Sequence, residues 1–242
     1  MTASVRSLRP AAPWDARFVA HHPLLWPLER AAAPFAGAAE WPPVATWTAA
    51  FGAAPPAVRF VPSGPRRRRG RPRRFDPARL YDATIIERGQ VPSRRRHWHD
   101  FLNALVWATF PRAKRALHAR QGAAIARRLG PGVAQLPAHR TRELDGLAMI
   151  DEGGVIALAT PSGDRMLVFG HALYEGFVLR APPMTGRVVR VTSVATAGVD
   201  LLAHADAALA AALDDPERVL LPAELPRIYV PAGSLPPEWA PA

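Results

Sequence analysis

The chain has 242 residues, 49% of them hydrophobic, which is enough for one large domain with a buried core. It has no cysteine, and this excludes disulfides, thiolate catalysis and cysteine-ligated zinc or iron–sulfur sites. Its net charge of +11 is concentrated in one place, because residues Arg66–Arg74 contain seven arginines.

The N-terminal residues show no sign of a targeting segment. Pro10, Pro13 and Asp15 interrupt the apolar stretch that a signal peptide requires. The sequence predicts no membrane helix, because it contains no run of about 18 apolar residues. We therefore expect a cytoplasmic protein that does not associate with a membrane.

The composition along the chain predicts one folded domain between two less structured ends. Residues 1–22 are predicted to form a flexible N-terminal arm, residues 23–231 a single domain, and the Pro-rich residues 232–242 a C-terminal tail. Within the domain, residues 62–77 are rich in Pro, Gly and Arg and are expected to form a loop.

Short apolar segments open the domain. Residues 23–33 and 44–51 are predicted as helices, and residues 58–61 are predicted as a strand. Residues 80–88 fit either a helix or a strand, because their periodicity does not decide between the two.

Two consecutive helices are predicted in the middle of the chain. An apolar stripe predicts a helix over residues 98–109, and Asp100 suits the positive end of its dipole. Pro111 fits the first position of a second helix, which is predicted to end at Leu129 before a Gly-Pro pair. The two helices are expected to form one kinked unit.

The second half of the chain alternates between helix and strand patterns. The predicted elements are helices at residues 141–150, 171–179 and 201–213, strands at residues 155–159, 166–169 and 187–192, and a turn at residues 151–154. The first two strands flank a Pro-Ser-Gly-Asp segment and are expected to form a hairpin. The predicted fold class is therefore α+β, a mainly helical single domain with a small, mostly antiparallel sheet.

Two residue types occur only once. The chain has 30 arginines but a single lysine, Lys114, and a single asparagine, Asn103, which lie eleven residues apart. A position that remains lysine in an arginine-rich chain is consistent with a need for a compact charge or a neutral amine. Chance survival of the lysine is the alternative.

The central segment carries a family resemblance. Residues Arg94–Leu117, RRRHWHDFLNALVWATFPRAKRAL, resemble a bacterial family described only as domain of unknown function 3025. Asp-Glu-Gly-Gly at residues 151–154 and Gly-His-Ala-Leu-Tyr-Glu at residues 170–175 resemble two further signatures of that family. The resemblance spans about residues 24–231.

This resemblance implies a shared fold and shared polar residues, but no reaction. The polar residues that it implies are Arg94, His99, Asp100, Asn103, Lys114, Asp151, Glu152, His171 and Glu175. The chain departs from the family at His97 and His118, where asparagine is expected, so these two histidines are poor candidates for a shared site.

A metal-dependent enzyme is the first functional hypothesis. The candidate ligands of a divalent metal that activates water are His99, Asp100, His171 and Glu175, with Asp151 or Glu152 as further members. Lys114 is the candidate for binding an anionic group, and the expected reaction is hydrolysis of a phosphoester.

A metal-free enzyme is a variant of this hypothesis. His99 would act as the base, and Asp100, Asn103 and Lys114 would complete the catalytic set. The chain has no Gly-x-Ser-x-Gly elbow, phosphate-binding loop or dinucleotide fingerprint, which disfavours serine nucleophiles and nucleotide-driven reactions.

Non-catalytic interpretations of the same residues remain open. Arg94, Asp100 and Asn103 are equally consistent with a buried structural network, because buried polar side chains need partners. The arginines of residues 66–74 are consistent with weak, sequence-independent nucleic-acid binding or with a solvated loop.

The tryptophans near the N-terminus allow a third class of function. Trp14, Trp26 and Trp41 are candidate anchors for a protein partner, because tryptophan is enriched at interface centres. They could equally pack the N-terminal arm onto the domain.

Overall fold

The computed structural model describes residues 12–63, 81–129, 140–161, 163–191 and 200–241. The α-helices in these ranges are α1 (Glu29–Ala32), α2 (Tyr81–Arg88), α3 (Trp98–Thr109), α4 (Pro111–Ala126), α5 (Arg142–Gly153), α6 (His171–Val178) and α7 (Leu201–Asp214). The strands are β1 (Arg59–Pro62), β2 (Gln90–Ser93), β3 (Gly154–Thr160), β4 (Gly163–Val168), β5 (Thr185–Val191) and β6 (Arg227–Tyr229). Short 3-10 helices lie at Phe18–His21, Pro23–Leu28, Ala33–Phe35, Val44–Phe51, Pro222–Glu224 and Pro237–Trp239.

Most of the predicted helices are confirmed. Helix α3 spans the predicted residues 98–109, and α4 begins at Pro111 as predicted. The segment whose periodicity was ambiguous is the helix α2. None of the helices in the described ranges is long and apolar enough to cross a membrane.

One local prediction is wrong at two of the candidate site residues. The turn predicted at residues 151–154 is instead the last turn of α5, which continues to Gly153. Strand β3 then begins at the next residue, without a loop. Asp151 and Glu152 are therefore held on the end of a helix.

The predicted α+β class is confirmed, but the sheets are not mostly antiparallel. The larger sheet has the strand order β4-β3-β5-β6, in which β3 pairs antiparallel with β4 but parallel with β5. The smaller sheet is a parallel pair of β1 and β2. Helices α6 and α2 lie between the parallel partners in sequence, and such a crossover returns the chain in its original direction.

An aromatic cluster around α3 forms one side of the core. Phe101 is fully buried, and its ring lies 5.2 Å from those of Trp14 and Phe35 and 5.4 Å from that of Trp47. Each of these pairs is close to edge-on, the arrangement that aromatic rings favour. This packing fixes the start of α3, where the candidate site begins.

Both ends of the described chain pack onto this core. Phe18, which belongs to the predicted N-terminal arm, is 1% exposed, and Trp239 of the predicted tail is 3% exposed. The indole of Trp26 donates a hydrogen bond to the carbonyl of Trp239. Trp14 and Trp41 are partly buried against each other, so the three N-terminal tryptophans pack within the chain itself.

The N-terminus of α4 is capped by a residue that is distant in sequence. Phe110 separates the two helices and offers no side-chain cap to α4. The carboxylate of Asp206 on α7 accepts hydrogen bonds from the backbone nitrogens of Arg112 and Ala113 instead. Because the first backbone N–H groups of a helix lack internal partners, this contact ties α7 to the start of α4.

Candidate metal centre

Three side chains with metal-ligand atoms converge where α3 and α6 begin and α5 ends. His99 Nε2 and His171 Nε2 are 3.0 Å apart, and Glu152 Oε2 lies 3.8 Å from the first and 3.5 Å from the second. A point about 2.0 Å from all three atoms exists inside this triangle, which matches the distances of zinc to imidazole and carboxylate ligands. Two histidines and one glutamate leave a coordination position open, as in catalytic zinc sites.

Close backbone contacts bring these residues together. A Cβ atom on Gly170 would lie 2.5 Å from the carbonyl oxygen of Glu152 and from the backbone of Gly153, so only glycine fits there. The backbone nitrogens of Phe169 and Gly170 both donate to the carbonyl of Gly154. The start of α6 is therefore pressed against the end of α5, and His171 lies beside Glu152.

His99, Glu152 and His171 are called the triad below. Each of its two histidines has a carboxylate close to its Nδ1 atom. His99 Nδ1 is hydrogen-bonded to Glu175 Oε2 at 3.0 Å, and His171 Nδ1 lies 3.7 Å from Asp151 Oδ1. An ionised carboxylate only accepts, so we assign the proton of neutral His99 to Nδ1, which leaves a lone pair on Nε2. A carboxylate that holds Nδ1 while Nε2 faces a metal is the usual second layer of such sites.

Charge and burial place His171 in the form that a metal requires. Burial lowers the pKa of His171 to about 3, so its imidazole is neutral at neutral pH. Without a metal, the Nε2–H of His171 would donate a hydrogen bond to Nε2 of His99. The Nδ1 atom of His171 would then carry a lone pair that faces Asp151. With a cation between the two Nε2 atoms, the Nδ1 proton of His171 points toward that carboxylate instead.

The other two triad members respond to the charges around them. Burial lowers the pKa of His99, but the hydrogen bond with Glu175 and the charge of Glu152 outweigh it and raise the pKa overall. Burial also raises the pKa of Glu152 above its ordinary value. A divalent cation at the triangle would displace the proton that each of these groups otherwise holds more tightly.

The single lysine lies beneath this site. The side chain of Lys114 is 0% exposed, and its Nζ lies 2.5 Å from Asp151 Oδ1 and 5.6 Å from the centre of the Trp107 ring. Burial alone would raise the pKa of Asp151, but the charge of Lys114 outweighs it and holds that pKa well below its ordinary range. Lys114 is therefore coupled electrostatically to Asp151.

Two other sequence-predicted residues pair next to the triad. Asp100 accepts hydrogen bonds from the backbone nitrogen of Arg94 at 2.6 Å and from its guanidinium at 2.6 Å. Burial raises the pKa of Asp100, but these contacts with Arg94 outweigh it and lower the pKa overall. Asp100 is thus engaged by Arg94, and it lies outside the group of three described side chains whose ligand atoms converge.

Asn103 and His118 make separate contacts. Asn103 is 7% exposed, and its Nδ2 donates to the hydroxyl of Tyr81 at 3.3 Å. His118 Nδ1 is 2.8 Å from Asp82 Oδ1, and its ring stacks on Trp107. The family resemblance disfavours His118 as a site residue, and its described contacts are those of a packed core histidine.

The triad opens into a cleft of about 600 Å³, within the range of small-molecule sites. The residues that line it are Ser63, Tyr81, Pro92, Ser93, Arg94, Arg95, His99, Asp100, Asn103, Asp151, Glu152 and His171. A separate cavity of about 310 Å³, beside His22 and Phe177, contains none of the triad.

The cleft contains residues that no sequence pattern marks as candidates. Tyr81, Ser93 and Arg95 belong to short elements or their ends, where neither periodicity nor motif spacing marks a site. The nearest available signal was the Arg94–Leu117 segment itself, which includes Arg95 and directly follows Ser93.

No curated protein and no solved structure matches the chain. A family model described as "Protein of unknown function (DUF3025)" matches residues 71–167, which include His99 and Glu152 and end just before His171. This match over residues 71–167 bears out the resemblance of the central segment to the DUF3025 family.

Proposed function

We propose that the protein binds one divalent metal ion through His99, Glu152 and His171 and uses it to hydrolyse a phosphoester. The observation that carries this proposal is the convergence of the three ligand atoms on one point, with carboxylates behind both histidines. A metal ion in such a site lowers the pKa of bound water to about 7 and so supplies hydroxide at neutral pH.

The cleft supports an anionic substrate. Arg94 and Arg95 both line it, and arginine suits the geometry of phosphate oxygens. The Arg94 side chain is 51% exposed although it also pairs with Asp100. Together with the metal ion, these groups would offset the negative charge that develops on a phosphoryl group during hydrolysis.

Two carboxylates have supporting roles in this proposal. Glu175 orients His99, and Asp151 orients His171 while Lys114 holds Asp151 in its ionised form. This assigns Lys114 and Glu175 to the surroundings of the metal, whereas the sequence hypothesis placed Lys114 on the substrate and Glu175 on the metal. Asp100 becomes the partner of Arg94 on the cleft wall.

The direct test is metal binding followed by a hydrolysis assay. Protein purified without an affinity tag or chelator is titrated with zinc and with manganese, and each form is assayed with p-nitrophenyl phosphate and bis(p-nitrophenyl) phosphate. We expect about one metal ion per chain and hydrolysis that a chelator abolishes. A protein that binds no divalent metal would contradict the proposal, and binding without hydrolysis of either ester would contradict its catalytic part.

The role of the second carboxylate gives a quantitative prediction. Glu175→Gln should lower zinc affinity by about 10- to 100-fold, because it removes the charged acceptor that holds His99 Nδ1–H. Competition with a fluorescent zinc indicator measures this change. Glu217→Gln, on an exposed residue outside the cleft, is the matched control and should leave the affinity unchanged.

Nucleic-acid binding is the second candidate function. The seven arginines of residues 66–74 lie outside the described residues, but Ser63 and Tyr81, which flank residues 64–80, both line the cleft. Affinity for single-stranded RNA that is steeply salt-dependent and lost on deleting residues 66–74 would support this function.

A further inference from the structure

Tyr81 has a hydroxyl on the cleft wall that the metal proposal does not use. The residue begins α2, is 41% exposed, and lines the same cleft as the triad. Its ring packs edge-on against His118, with the ring centres 5.7 Å apart. Since His118 is itself fixed between Asp82 and Trp107, the ring of Tyr81 is supported from behind.

Asn103 determines how the hydroxyl of Tyr81 is used. The amide Nδ2 of Asn103 donates to the tyrosine oxygen, so that bond occupies a lone pair and not the hydroxyl proton. Among the described residues the Tyr81 hydroxyl has this one hydrogen bond. Its proton is therefore available to an acceptor in the cleft.

The surroundings keep the hydroxyl in its donating form. Burial of the hydroxyl end and the nearby charges of Asp151 and Asp100 raise the pKa of Tyr81 well above its ordinary value. The group therefore remains protonated through the physiological range. A neutral O–H donor in the cleft suits a ligand that brings acceptor oxygens.

We propose that Tyr81 is a substrate-binding residue that donates a hydrogen bond to a phosphoryl oxygen, and that Asn103 is the positioning residue that aims this hydroxyl. This assignment rests on the proposed function, in which the metal ion and the arginines bind the same phosphoryl group. The Tyr81 hydroxyl, supplied by α2, thus adds a neutral hydrogen-bond donor to the metal ion and the arginines of the cleft.

Inorganic phosphate is the probe that tests the assignment. The metal-loaded protein is titrated with phosphate by isothermal titration calorimetry, for the wild type and for Tyr81→Phe. Loss of one hydrogen bond to a charged ligand should weaken phosphate binding by about 10- to 100-fold. Zinc affinity should stay unchanged, because Tyr81 is not among the three ligands. Tyr229→Phe, at an 83% exposed tyrosine on β6, is the matched control.

A double-mutant cycle tests the role of Asn103. Asn103→Leu should weaken phosphate binding in the wild-type background but have little further effect in the Tyr81→Phe background, because both changes remove one interaction. A merely structural asparagine would instead give effects that add. Thermal melts identify a variant that has lost its fold, and Tyr81→Phe alone then carries the test.

The outcomes separate this assignment from the metal proposal. Equal phosphate affinity of wild type and Tyr81→Phe, or no phosphate binding by the wild type, overturns the role of Tyr81 whatever the metal result. If no metal binds, the same titration is made on the metal-free protein. Phosphate binding that depends on Tyr81 would then support the role of Tyr81 while the metal proposal fails.

Discussion

His171→Ala should lower the affinity of the protein for zinc by more than about 100-fold. The substitution removes one of three ligand atoms. In known sites, loss of a hydrogen-bond partner of a ligand alone lowers metal affinity by about 10- to 100-fold. His171 is 3% exposed, and alanine at this buried position has no ligand atom to replace the imidazole. Competition titration against an indicator of known zinc affinity measures the change.

A neighbouring histidine provides the control for this prediction. His97 lies next to the start of α3, with its ring 6.1 Å from that of His99, but it is outside the triad. His97→Ala should therefore retain zinc affinity within about threefold, a change of less than about 1 kcal/mol. Equal loss of affinity in the two variants would mean that the alanine substitutions act through the fold, and an unchanged His171→Ala would refute the site.

Lys114→Met should lower the free energy of unfolding by about 3–5 kcal/mol. The methionine fills most of the lysine volume but leaves the carboxylate of Asp151 without its partner, and an uncompensated buried charge carries a penalty of that size. Lys114→Arg keeps the charge but adds volume at a fully buried position. We therefore expect it to lower the free energy of unfolding by about 1–3 kcal/mol. Urea denaturation at neutral pH measures both changes.

Three further measurements test the cause of this loss. The double variant Lys114→Met with Asp151→Asn should recover most of the stability, because the buried charge is gone. Arg115→Met, at the exposed neighbouring position, should change stability by less than about 0.5 kcal/mol. A Lys114→Met protein as stable as the wild type would show that the ion pair contributes nothing to the fold.

Acid should remove the difference between the wild type and Lys114→Met. The pKa of Asp151 is lower in the folded protein than its ordinary value, so its stabilising contribution is complete above about pH 4. That contribution declines as the pH falls toward the lowered pKa, because the unfolded chain takes up the proton first. Denaturation curves at successively lower pH should therefore converge.

The local structure around the site was largely predictable from sequence. The apolar stripe of residues 98–109 correctly predicts where α3 begins, and the proline at residue 111 correctly predicts where α4 begins. Both signals are local, because they act within one or two helical turns. The end of α5 was not predictable in the same way. The consecutive glycines Gly153 and Gly154 indicate a turn. In the structure they instead join α5 directly to β3 and allow the start of α6 to pack closely against them.

The pairing of strands also depended on contacts distant in sequence. The hairpin of β3 and β4 was predicted from its turn residues. The parallel pairs were not, since they join segments that are separated by a helix and share no local signal.

The sequence by itself determined the α+β class, the absence of cysteine chemistry, the resemblance to the DUF3025 family and a set of polar residues around the central helices. Only the tertiary structure decided how that set is divided: His99, Glu152 and His171 share one point, Asp100 pairs with Arg94, and Lys114 is buried against Asp151. The physical reason is that ligand geometry depends on how three helix ends approach one another. That approach is set by the backbone contact at Gly170, which no periodicity in the sequence reveals.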